Sequence, residues 1–146
     1  MNEKPSEYNF EEITIGQKIN FKEKITEKMI NNFANISGDF NPLHIDENYA
    51  SSTSFGRRVC HGFLLASFFS RLVGMYLPGK NSLYFTQSLN FMNPCFIEDE
   101  IIIEGTIIDK SESTKIITMS TKITRTDGLC LLDGVARVMV RNEKHD

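Results

Sequence analysis

Asp39 and His44 are two proton-transfer groups five residues apart in the string Ser37-Gly38-Asp39-Phe40-Asn41-Pro42-Leu43-His44. A carboxylate and an imidazole aimed at one small volume can hold a water molecule and pass protons both ways. The residues between them shape the backbone. Pro42 fixes its own φ and pushes Asn41 out of helical geometry. Gly38 permits an unusual angle just before the acid. The segment is expected to be a shaped turn, not a helix face. The bland alternative is that Asp39 only closes an Asx-turn and His44 is a hydrogen-bonded structural group.

The next chemistry-bearing stretch runs from Cys60 to Leu77. Residues 61–77 are apolar on nearly every side, which predicts a long helix buried all round. Ser67, Ser70, Arg71 and Gly74 fall at i, i+3, i+4 and i+7 and share one face. Small polar groups there suggest a face that meets a cavity, unless the serines only bond carbonyls of the preceding turn. A buried Arg71 requires a partner. His61-Gly62 opens the helix, where backbone N–H groups lack internal partners. Gly62 would let a ligand carbonyl approach those donors and the positive end of the helix dipole. Otherwise it only eases entry into the helix. Cys60 beside this entry is read as packing, since no motif of a catalytic thiol surrounds it.

The elements that must position these groups follow from the rest of the chain. Residues 17–23 alternate apolar and polar and predict a strand. Thr26 caps a helix over 27–36, with Met29, Ile30, Phe33 and Ile36 on one side. Asp46 caps a short helix over 47–52, and 53–60 form a loop. Pro78-Gly79 ends the long helix. Residues 82–92, 99–110, 115–126 and 129–141 are rich in Ile, Thr, Val and Phe and predict strands. Leu83, Phe85, Leu89 and Phe91 alternate there with Tyr84, Thr86, Ser88 and Asn90. Asp127-Gly128 between the last two is a hairpin signal. A sheet must bury one face, and only residues 61–77 are greasy enough to be wrapped. The expectation is one α+β domain, a curved antiparallel sheet around a central helix. It spans residues 10–146 after a flexible leader at 1–9.

Composition narrows the function classes. The chain has 146 residues and a formal net charge of −3 with acids and bases interspersed. That argues against a nucleic-acid binder. Arg57-Arg58 is read as a solvated turn in preference to a phosphate anchor. Cys60, Cys95 and Cys130 show no metal-ligand spacing, and an odd count without a secretory signal fits reduced thiols in the cytoplasm. No segment is long and apolar enough for a membrane span.

With those residues in view, the chain resembles the MaoC-like (R)-specific enoyl-CoA hydratases, which have the hot-dog fold. The resemblance covers roughly residues 13–141. It rests on Gly38-Asp39 through His44, the block His61 to Ser67, Pro78-Gly79, Gln87-Ser88-Leu89, and Phe91 with Pro94. It implies reversible hydration of trans-2-enoyl-CoA to (R)-3-hydroxyacyl-CoA by a hydro-lyase without metal or cofactor. Asp39 and His44 match the catalytic pair. Gly62 matches the position whose N–H polarises the thioester carbonyl. Ser70 matches a serine near the pair, and Asn41 supports the turn. The chain departs from the pattern at Arg58, where relatives often carry Pro, and at Glu98, where Gly often precedes the Asp.

Alternatives are a 3-hydroxyacyl-[acyl carrier protein] dehydratase, a hot-dog thioesterase and a non-catalytic acyl-thioester binding subunit. The second needs a carboxylate on the central helix, and residues 61–77 have none. A single sheet on one helix leaves exposed edges, so a homodimer or larger assembly of dimers is expected. Val73, within one turn of Ser70, is the candidate gate of an acyl pocket for short to medium chains.

Overall fold

A computed structural model describes residues 3–142. Strand β1 (Lys18–Lys24) leads into helix α1 (Glu27–Ser37), and two short helices follow, α2 (Pro42–Ile45) and α3 (Glu47–Ser51). The central helix α4 (Gly62–Arg71) continues into a π-helical turn at Leu72–Tyr76. Strands β2 (Ser82–Gln87), β3 (Asn90–Phe91), β4 (Glu100–Ser111), β5 (Ile116–Arg125) and β6 (Cys130–Val140) complete the chain. The sheet is antiparallel with order β1-β4-β5-β6-β2, and β3 also pairs with β6. This is the α+β hot-dog arrangement that the sequence led us to expect.

Local chemistry explains the starts and stops. Thr26 accepts from the Met29 N–H at 3.2 Å and caps α1. Asp46 does the same for α3 through the Tyr49 N–H at 3.1 Å. At the β5–β6 hairpin, Gly128 has φ 99° and donates to the Arg125 carbonyl.

The core lies between α4 and the concave face of the sheet. Leu64, Leu65, Phe69, Leu72 and Val73 meet Ile101, Ile103, Ile107, Ile117, Met119 and Ile123. Gly105 leaves room for this packing, since a Cβ there would lie 2.5 Å from Met119 Sδ and 3.0 Å from Leu72 Cδ2. Leu72 is fully buried, so Leu72→Ala would remove about 3 kcal/mol of stability.

Four expectations need correction. Helix α4 is not buried all round, since Phe63, Ser67 and Ser70 are exposed. Ile36 is also exposed, and Ile30 and Ala34 form the buried side of α1. The single strand expected over 82–92 is broken into the edge strand β2 and the short β3, while the alternation of β2 holds. Leu83 and Phe85 face outward on this edge strand, and Tyr84 turns inward, where burial pushes its phenol up to about 12. Period-2 patterning gives two faces without saying which one meets the core. Finally, residues 6–9 are tied down. Ser6 N–H donates to the Met75 carbonyl at 2.9 Å, and Tyr8 N–H to that of Pro78 at 3.1 Å.

Candidate active site

Helix α1 ends at Gly38, left-handed at φ 79°, whose N–H bonds the Ala34 carbonyl at 2.8 Å. This turn delivers Asp39. Its two carboxylate oxygens are used differently. Oδ1 accepts the Asn41 N–H at 3.2 Å, which closes an Asx-turn. Oδ2 lies 4.0 Å from His44 Nε2. Asp39 therefore closes a turn with one oxygen and turns the other toward His44.

Asn41 supports the turn as foreseen. Its Oδ1 accepts the Leu43 N–H at 3.0 Å and caps α2, with Pro42 at the first helical position. His44 thus sits on a single helical turn, a correction to the expectation of an irregular turn throughout. Its Nδ1 is 2.7 Å from the Val59 carbonyl oxygen. A carbonyl only accepts, so Nδ1 carries the hydrogen and Nε2 of the neutral ring is a bare acceptor beside Asp39.

His61, which the sequence marked only as the residue opening α4, is part of the same group. It is 2% exposed. Its ring stacks on His44 with centroids 4.0 Å apart and also packs on Phe33. Its Nε2 lies 3.1 Å from the Asp39 carbonyl oxygen and donates to it. Nδ1 is buried with no hydrogen-bond partner among the described residues. Burial lowers the His61 pKa, so the ring is neutral near neutral pH. No periodicity or spacing distinguishes such a histidine from a core residue.

Gly62 is the first residue of α4, and its N–H lies among the four that a helix start leaves unpaired. It borders a cavity of about 340 Å³ with His44, Cys60, Phe91, Met92 and Leu131. A Cβ at Gly62 would lie 2.6 Å from Phe91 Cε1, so the glycine is what lets that ring cover the helix start. Cys60 is buried and its thiol is pushed strongly upward, first by its hydrogen bond with Cys95 and then by burial.

The structure does not gather every residue singled out. Ser70 is exposed on a second cavity of about 320 Å³, shared with Ser67, Tyr84 and Gln87, which neither Asp39 nor His44 lines. Ser67 donates to the Leu64 carbonyl at 2.6 Å, so the polar stripe borders a cavity and also back-bonds its own helix. Val73 is 1% exposed and packs in the core. Arg71 pairs with Glu23 at 2.7 Å. Arg57 lies over the Phe96 ring, 4.0 Å from its centroid. Arg58 is buried, which overturns its reading as part of a solvated turn. Asp39, His44 and His61 bring ligand atoms within 4.8 Å of one another. His44 Nδ1 and His61 Nε2 already face carbonyls, which leaves His44 Nε2 and Asp39 Oδ2 turned to each other.

A sheet curled on a central helix defines the hot-dog fold, here with a carboxylate oxygen and an imidazole nitrogen 4.0 Å apart next to its central helix entry residue His61. The model of the MaoC like domain matches residues 10–128. The chain belongs to the MaoC-like domain family. It is 40% identical to an (R)-specific enoyl-CoA hydratase of Aeromonas caviae, across 86% of this chain and 94% of that one. It is 38% identical to the (R)-specific enoyl-CoA hydratase of Rhodospirillum rubrum, across 90% of each. Among solved structures, the (R)-hydratase from A. caviae superposes with a TM-score of 0.86 over 88% of this chain and 97% of that one, at 40% identity.

Proposed function

We propose that the protein hydrates trans-2-enoyl-CoA to (R)-3-hydroxyacyl-CoA, and dehydrates it in the reverse direction. The observation that carries this reading is the 4.0 Å gap between Asp39 Oδ2 and His44 Nε2. It is too long for a direct hydrogen bond, yet one water can sit about 2.8 Å from both atoms. Both atoms are acceptors, so they orient the two hydrogens of that water and leave its oxygen lone pairs for C3. As the O–C3 bond forms, one water proton passes to the pair. The π electrons of the C2–C3 bond shift toward the thioester oxygen, and C2 takes back one proton. The water supplies every atom added, so no cofactor or metal enters the scheme. In this reading the Gly62 N–H and the dipole of α4 serve the enolate-like oxygen, and the support is that Gly62 and His44 line one cavity.

Two observations bear on the alternatives. Only Arg57 of the basic pair reaches solvent, which weakens a carrier-protein dock at this point. The mitochondrial 3-hydroxyacyl-[acyl-carrier-protein] dehydratase of Arabidopsis thaliana is 30% identical to this chain. Residues 61–77 bear no carboxylate for thioester hydrolysis. We also infer a homodimer, because β2 is an edge strand whose Leu83 and Phe85 face outward. No helix among the described residues is long and apolar enough to cross a membrane. Three free cysteines support a cytoplasmic location. The test is loss of the enoyl-thioester absorbance of crotonyl-CoA, with chiral analysis of the product. No change, or an (S) product, overturns the proposal.

A further inference from the structure

Arg58 is an arginine held out of water beside the catalytic turn, with a side chain only 6% exposed. Such a group persists only where its partners offset the lost hydration. Its three nitrogens each have one. Nε donates to the His44 carbonyl at 2.6 Å, Nη1 to Glu27 Oε1 at 2.9 Å, and Nη2 to Asn31 Oδ1 at 2.9 Å. The Glu27 side chain is 66% exposed, so that ion pair is screened and contributes little. The bond to the His44 carbonyl is charge-assisted and, at 2.6 Å, the shortest of the three. Asn31 and Glu27 lie on α1, so the guanidinium fastens α2 to α1.

The next residue completes the grip. Val59 N–H donates to the Leu43 carbonyl at 3.2 Å, and the Val59 carbonyl receives His44 Nδ1–H at 2.7 Å. Two consecutive residues therefore hold His44 by its own carbonyl, by the carbonyl before it, and by its ring. We propose that Arg58 is a positioning residue for His44. It locks the backbone of α2 against residues 58–59, so that the Val59 carbonyl selects the Nδ1–H tautomer and leaves Nε2 bare beside Asp39. The flat, forked guanidinium is required, because three acceptors in different directions must be met by one rigid group. A lysine ammonium meets at most part of that set.

This role takes its catalytic meaning from the proposed hydration, but the tautomer can be read without any substrate. The experiment compares the parent with Arg58→Met, Arg58→Lys and Asn31→Ala as full chains. The readouts are nitrogen-15 spectra of the His44 ring, melting temperature, and kcat and KM on crotonyl-CoA well below each melting point. The parent shows a single Nδ1–H tautomer. Arg58→Met shows a mixture of tautomers, with kcat lowered about tenfold as expected for a displaced catalytic group, and KM changed less than about twofold. Arg58→Lys falls between the two, and Asn31→Ala shifts both readouts in the same direction by less. A folded Arg58→Met with the parental tautomer and kcat overturns the proposal, even if it melts lower. Should that variant not fold, parental tautomer and kcat in both Arg58→Lys and Asn31→Ala overturn it. A parent that hydrates no enoyl-CoA removes the proposed function, and the ring spectra still decide the clamp.

Discussion

Gly62→Ala separates two ways in which the head of α4 can matter. A Cβ there would lie 2.6 Å from Phe91 Cε1 and 2.7 Å from Cδ1. Ordinary carbon contact needs about 3.6 Å, so the ring must retreat by about 1 Å. Phe91 is half exposed on the two-residue β3, and its ring can swing toward solvent. Lost packing costs about 1 kcal/mol. The removal of a helical glycine returns about half of that or more. The net change in melting temperature is therefore only about 3 °C or less. Turnover is another matter, because Phe91 and Gly62 line the same cavity. A reacting group displaced by about 1 Å loses about a hundredfold in rate. The assay is crotonyl-CoA hydration by Gly62→Ala, by Phe91→Ala and by the double variant. If the methyl acts by pushing the ring, the double variant turns over like Phe91→Ala alone. If it stands in the thioester oxygen site, the double variant stays as slow as Gly62→Ala. A folded Gly62→Ala with parental kcat refutes both routes and makes Gly62 a residue of helix entry only.

Asp39→Asn keeps an oxygen for the Asn41 N–H, so it should melt like the parent, yet it and His44→Ala should each lower kcat about a hundredfold or more. Near-normal turnover in either removes that group from the mechanism. Burial lowers the His61 pKa below its ordinary 6.5, so the folded protein binds this proton more weakly than the unfolded chain does. Its contribution to stability is full above about pH 6.5 and is lost as the pH falls further. Melting curves from about pH 7 to about pH 5 should show that loss, and His61→Gln should flatten it. An equally steep decline in the variant assigns the loss to another group. Phe85→Lys should convert a dimer to a monomer in light scattering, whereas a parent already monomeric at micromolar concentration refutes the edge-strand pairing.

The sequence made α1, α3 and the β5–β6 hairpin legible because each carries its own local signal: Thr26, Asp46 and Asp127-Gly128. It also placed Asp39, Asn41 and His44 in one shaped segment after Gly38. What it did not reveal depends on partners distant in the chain. Arg58 reads as surface until Glu27, Asn31 and the His44 carbonyl are brought around it. His61 reads as a helix-entry residue until its ring meets His44 and its Nε2 meets the Asp39 carbonyl. Which face of β2 turns inward is set by the sheet order, and β2 pairs with β6 although β4 follows it more closely in the chain.

Residues 38–57, which supply Asp39 and His44, are mostly exposed, and Ala50 is their one fully buried side chain. Beyond the grip of Arg58 and Val59 on Leu43 and His44, the segment is held by caps and turns, while the hydrophobic core lies under α4 and the sheet. A stretch with so little burial opens without unfolding the sheet, at a small fraction of the global free energy. Its amide hydrogens should exchange early, long before those of β4, β5 and β6. A bound thioester that covers Asp39 and His44 would then slow exchange in this stretch first. Amide protection there becomes a sensor of occupancy that needs no turnover at all.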